Sequence, residues 1–185
     1  MVNNTDNSSG DFFVDNKPLN HIPWIITGVY LLAVYTFLPF APVWFKSIIS
    51  YTGYDGFSYI VTSISAISAI IVIKKVALNG FKIVLLAVAA IAFIALIASQ
   101  MDKAAERLHF LEYAILGIML YWAKGYPKGV GLVFVFLISA IAGGVDELIQ
   151  YFLPNRYYDI RDIGFNVLGS GLGVVLGILM RPNKS

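Results

Sequence analysis

From Ile83 to Ala98 the chain reads IVLLAVAAIAFIALIA, a run without one polar side chain. A strand of a membrane barrel alternates between lipid-facing and lumen-facing residues, so this run is not one. It is most of a membrane-crossing helix, which needs about 20 residues. Composition extends the argument to the whole chain. Of its 185 residues 58% are hydrophobic and 13% charged, and mean hydropathy is +0.76. A soluble domain carries about a quarter charged residues, so a soluble surface could not be covered here. The aromatic share of 15% and the 16 glycines fit interfacial rings and closely packed spans. The expected fold is all-α, a polytopic transmembrane helical bundle.

Six apolar segments follow the chain: Trp24–Phe40, Phe57–Ile73, Phe81–Gln100, Leu108–Ala123, Gly129–Leu153 and Ile163–Met180. Between the first two, Trp44, Phe45, Ile48 and Ile49 share a helical face, which predicts a short interfacial helix over Pro42–Tyr51. Residues 1–22 form a polar tail read as disordered, without the apolar core of a signal peptide. Residues 23–99 hold the first helices, 100–180 a polar-centred core of helices, and 181–185 a C-terminal tail. There is no cysteine, hence no disulfide or thiol chemistry. A net charge of +2 carries no nucleic-acid signal, and membrane lipids are the expected neighbours.

Lys and Arg in alternate loops set the orientation. Lys17, Lys74, Lys75, Lys82, Lys124, Lys128, Arg181 and Lys184 fall on one side; Lys46, Lys103, Arg107, Arg156 and Arg161 fall on the other. The richer side is expected in the cytoplasm of a multi-pass cell-membrane protein, with both termini inside. Beyond the tail every acid (Asp55, Asp102, Glu106, Glu112, Asp146, Glu147, Asp159, Asp162) lies on the opposite, outer side. Acids contribute little to topology, so their segregation points to a site.

The site is expected where three helix ends meet at one depth. His109 and Glu112 open the fourth segment on a shared face beside Tyr113. The fifth starts near Lys128 and reaches Asp146 after roughly 27 Å of helical rise. Glu147 follows, and Gln150 and Gly143 share the Asp146 stripe. On the sixth, Asp162, Asn166, Gly169, Gly173 and Gly177 form one polar-to-small stripe whose glycines admit another backbone. Lys103, Glu106 and Arg107 read as a solvated, partly paired loop.

The pattern Asp102-Lys103, His109-Phe110, Tyr113, Leu116-Gly117, Asp146-Glu147-x-x-Gln150, Pro154-x-Arg156, Asp159, Asp162, Asn166, Gly169 and Gly173 resembles the VanZ-like family. The resemblance covers residues 100–177; the first two segments lie outside it. These are small bacterial membrane proteins named after a teicoplanin-resistance determinant. The resemblance implies a membrane location and an influence on the cell envelope or on glycopeptide sensitivity, and it supplies no established reaction.

The residues leave several chemistries open. Adjacent carboxylates with a histidine suit general acid–base work, so His109, Glu112, Asp146 and Glu147 are the candidate catalytic set. Arg156 and Arg161 suit an anionic phosphate or carboxylate. With Gln150, Asp159, Asp162, Asn166 and Tyr113 they form the candidate substrate-binding set, while Gly143, Gly169, Gly173 and Gly177 serve packing. Asp159 and Asp162 also sit where an N-terminal cap belongs. Arg156 or Arg161 paired to an acid would equally be a structural staple. A metal held by His109, Glu112 and the Asp146/Glu147 pair is conceivable, but no motif has established ligand spacing, so no ligand and no cofactor is assigned. An envelope-modifying enzyme or binder, a small transporter and an accessory membrane protein all remain. The partner of the first reading is a lipid-linked precursor, a phospholipid headgroup or a glycopeptide.

Overall fold

The computed structural model describes residues 21–75, 82, 84, 86, 104–154, 156 and 159–181. The expected tail and third segment lie outside these residues, apart from positions 21–22, 82, 84 and 86. The described residues form five helices: α1 (His21–Phe37), α2 (Ala41–Lys75), α3 (Ala104–Ala123), α4 (Val130–Phe152) and α5 (Ile160–Leu179). None of the described residues is in a strand.

Among the described residues, three stretches are long and apolar enough to cross a membrane: Ala41–Ile71, Val130–Phe152 and Ile160–Leu179. The six expected spans are not confirmed. α1 is apolar but has only 17 residues. α3 reaches 20 residues but carries Glu106, Arg107, His109 and Glu112 in its first half. α2 is not straight. Gly53 (φ 72, ψ 168) interrupts it, in a conformation open to glycine and costly for a residue with a Cβ. The break lies between the segment expected at the interface and the second expected span.

Along α4 the usual apolar-inside pattern is reversed toward the acidic end. Val130, Val133, Phe134, Leu137, Ile141, Leu148 and Phe152 lie exposed along α4, while Ser139, Asp146, Glu147 and Gln150 of the same helix are buried. Lipid is as apolar as leucine, so apolar side chains gain little by turning inward, whereas polar groups must find partners inside.

The most extensive interface joins α3 to α5, and the glycine stripe explains it. A Cβ at Gly169 would meet the Phe110 carbonyl oxygen and one at Gly173 the Ala114 carbonyl oxygen. A Cβ at Gly117 would lie 2.8 Å from the Ser170 carbonyl oxygen, so the close approach is built from both helices. Gly177 sits under the Tyr121 ring and Gly143 receives the Asn166 side chain. α4 packs against both helices and α1 against α3.

This arrangement separates charge along the bundle. Arg161 lies 3.9 Å from Glu106 and His109 3.5 Å from Asp146, so the start of α3, the end of α4 and the start of α5 share one acidic end. At the other end Lys82 Nζ donates to the Leu179 carbonyl at 3.1 Å, and Lys124 lies 5.1 Å from the Phe134 ring centre.

Candidate functional site

The acidic end is built on Asp146 and Glu147, which close the last turns of α4. Both are 0% exposed. Glu147 and Gln150 are i,i+3 and Asp146 and Gln150 i,i+4, so one glutamine serves both carboxylates. Gln150 Nε2 donates to Asp146 Oδ1 at 3.0 Å and to Glu147 Oε1 at 3.2 Å. The remaining Asp146 oxygen, Oδ2, accepts from the Tyr113 hydroxyl of α3 at 3.0 Å. Oδ2 also lies 3.5 Å from Nδ1 of His109, one turn earlier on α3. Glu112 shares the His109 face, with its Oε2 3.6 Å from the same nitrogen. His109 is 6% exposed, whereas the Glu112 side chain is 34% exposed and forms the open edge.

The surrounding residues fix this arrangement. Asn166 of α5 donates from Nδ2 to the Gly143 carbonyl at 3.1 Å, which ties α5 to α4 below the acids. α1 adds two tyrosines. The Tyr30 hydroxyl donates to the Glu112 carbonyl at 3.0 Å and that of Tyr35 to the Ala142 carbonyl at 2.7 Å. Ala142 O also accepts from Tyr113 at 3.3 Å. Neither tyrosine was legible as a site residue, because an isolated tyrosine in an apolar helix reads as an interfacial ring.

His109, Glu112 and Arg156 line one wall of a small recess whose other walls are Val34, Phe37, Leu38, Ala41, Phe45 and Leu108. The recess is small, about 20 Å³, room for a solvent molecule or an ion.

The remaining candidates divide. Asp159 caps α5, accepting from the Arg161 backbone N–H at 2.9 Å. Asp162 sits in the first turn of α5 and is grouped with His109 and Glu147. Arg161 lies 3.9 Å from Glu106 and 5.8 Å from the Phe165 ring centre. The solvated-loop reading of Glu106 and Arg107 is corrected. Both lie in the first turn of α3, Glu106 is 2% exposed, and Arg107 donates to Ser58 Oγ at 2.7 Å and Thr62 Oγ1 at 3.1 Å. The helix starts earlier than its apolar run, and α2 and α5 cover its first turn. Lys103 lies outside the described residues.

The VanZ/LLP1 family model matches residues 28–181. The chain belongs to the VanZ/LLP1 family. The match takes in α1 from Gly28 onward and all of α2, so the VanZ/LLP1 unit is larger than the 100–177 block that carries the sequence motif. Among curated proteins, an uncharacterised protein of the yeast Schizosaccharomyces pombe is 31% identical over 77 residues, which is 41% of this chain. The aligned region is 48% of that relative, so the similarity spans about half its length. No solved structure matches the chain.

Proposed function

We propose that this VanZ/LLP1 protein binds the anionic headgroup of an envelope lipid at the acidic end of its bundle. The headgroup would sit beside the His109–Asp146 pair, where acid–base chemistry on it is available. The observation that carries this reading is the two-faced recess. Val34, Phe37, Leu38, Ala41, Phe45 and Leu108 form an apolar wall suited to the upper part of an acyl chain. His109, Glu112 and Arg156 form the polar wall beside it. An arginine there recognises phosphate or carboxylate by paired N–H donors. The recess has room for a water-sized group, so the headgroup would be met at its mouth.

The orientation rule puts this end outside the cytoplasm. The partner is then a lipid-linked precursor or a phospholipid of the outer leaflet, and changed glycopeptide sensitivity is a downstream consequence. A lipid is a partner found in bacterium and yeast alike, which suits a family with a yeast relative. A transporter would need a polar path onward through the bundle. The buried hydroxyls below the cluster are instead spent on helix carbonyls: Ser170 donates to Asn166 O at 2.8 Å and Ser139 to Tyr113 O at 3.5 Å.

The test is native mass spectrometry of the purified protein with phosphatidylglycerol and phosphatidylcholine in equal amounts. The wild type should retain the anionic lipid preferentially, and Arg156→Ala and Arg156→Lys should both lose the preference. Equal retention of the two lipids by the wild type defeats the reading.

A further inference from the structure

The imidazole of His109 is buried, yet its Nδ1 makes no hydrogen bond within the described structure. That nitrogen points between two carboxylate oxygens, 3.5 Å from Asp146 Oδ2 and 3.6 Å from Glu112 Oε2. The spacing is informative. Bonds of about 2.1 Å at the tetrahedral angle place neighbouring donor atoms about 3.4 Å apart. Donor atoms of all three residues lie within 4.8 Å of one another. We propose that His109, Glu112 and Asp146 bind one divalent transition-metal ion, Mn²⁺ or Zn²⁺.

Three further observations support the assignment. Asp146 is oriented as metal carboxylates are, by outer partners: Tyr113 holds one oxygen and Gln150 the other. The recess bordered by His109 and Glu112 has room for a water-sized ligand, so three protein donors leave a coordination position that solvent or an anion can fill. Charge also favours an ion. Asp146 and Glu147 are 0% exposed and Glu112 adjoins them, so three carboxylates gather beside one imidazole and the Arg156 guanidinium. One imidazole with two carboxylates suits Mn²⁺ or Zn²⁺ better than Mg²⁺, which keeps to oxygen donors and water.

His109 also groups with Glu147 and Asp162, the competing arrangement. It ranks second because the His109 Nδ1 faces Asp146 and Glu112, at 3.5 and 3.6 Å. The metal assignment goes beyond the lipid reading and stands without it, since its readout is the ion alone.

The experiment uses the full chain in detergent, stripped with EDTA and titrated with Mn²⁺ or Zn²⁺. Calorimetry gives affinity, and elemental analysis after desalting gives stoichiometry. The wild type should hold a single ion per chain, and its melting temperature should rise with metal. His109→Gln and Glu112→Gln should each weaken binding by at least about tenfold and lose the thermal shift, and Tyr113→Phe should weaken it by about tenfold through Asp146. Glu112 is the informative position: its side chain is 34% exposed, so neutralising it should leave the fold intact. Glu147→Gln should weaken binding less than Glu112→Gln does. No bound ion in the wild type, or unchanged affinity in Glu112→Gln, overturns the proposal. Loss in Glu147→Gln with retention in Glu112→Gln overturns it in favour of the competing arrangement.

Discussion

The Tyr113 hydroxyl donates to Asp146 Oδ2 at 3.0 Å, across the interface of α3 and α4. Both residues are essentially inaccessible, at 1% and 0% exposure. The same hydroxyl lies 3.3 Å from the Ala142 carbonyl, which Tyr35 of α1 also reaches. One tyrosine therefore connects a buried carboxylate to the backbone contact shared by three helices. That makes it a positioning residue for Asp146.

Replacing Tyr113 with Phe keeps the ring and removes only the donor. Hydrogen bonds between membrane helices are worth about 0.6 kcal/mol on average and up to about 1.7. A loss near the upper end is expected, because the acceptor is a buried carboxylate. Reversible unfolding in mixed micelles measures it, and unchanged stability would show that the hydroxyl does not engage Asp146 in the membrane.

Gly173→Ala should be markedly destabilising. The added Cβ meets the Ala114 carbonyl oxygen, a backbone atom that cannot rotate aside, so α3 and α5 must separate. Overpacking of this kind costs about 1–3 kcal/mol. Gly144→Ala is the control: its Cβ would enter open space, and alanine's helix propensity should leave the protein equally stable or slightly more so. Equal melting temperatures for the two variants would contradict the close α3–α5 contact.

Asp159 separates capping from ligand recognition. Asp159→Ala should cost about 1 kcal/mol through the lost bond to the Arg161 N–H, and Asp159→Ser should restore most of it. Neither should alter anionic-lipid preference. If Ser restores stability while lipid preference remains lost, Asp159 belongs to the binding set after all.

Because the chain has no cysteine, single cysteines at Lys75 and Asn155 report sidedness directly. An impermeant maleimide on intact cells should label position 155 and spare position 75. The reverse pattern would invert the orientation and place the acidic end in the cytoplasm.

Much of this was legible along the chain, for reasons that differ by residue. Segregated charge and helical rise were enough to put His109, Asp146 and Asp162 at one end. Those arguments need only that helices cross a layer of fixed thickness. The Gly169–Gly173–Gly177 stripe announced a close approach in the same way. Its partner was not announced, since a stripe specifies a face and not what meets it. Glu106 shows the limit most clearly. Its neighbours Lys103 and Arg107 suggested solvent, yet two other helices cover it.

What the sequence by itself determined is the class of molecule and its polarity. It specifies an apolar helical bundle with acids gathered at one end, the larger share of Lys and Arg at the other and glycine where helices press together. Tertiary structure alone decided how the polar groups are shared. It set Tyr113 on Asp146 and Gln150 between two carboxylates, and it left His109 Nδ1 between two oxygens without a hydrogen bond. The reason is geometric. Helical periodicity orders side chains around one axis, whereas a site needs the relative rotation and depth of several axes. Those are set only when the packed interfaces close.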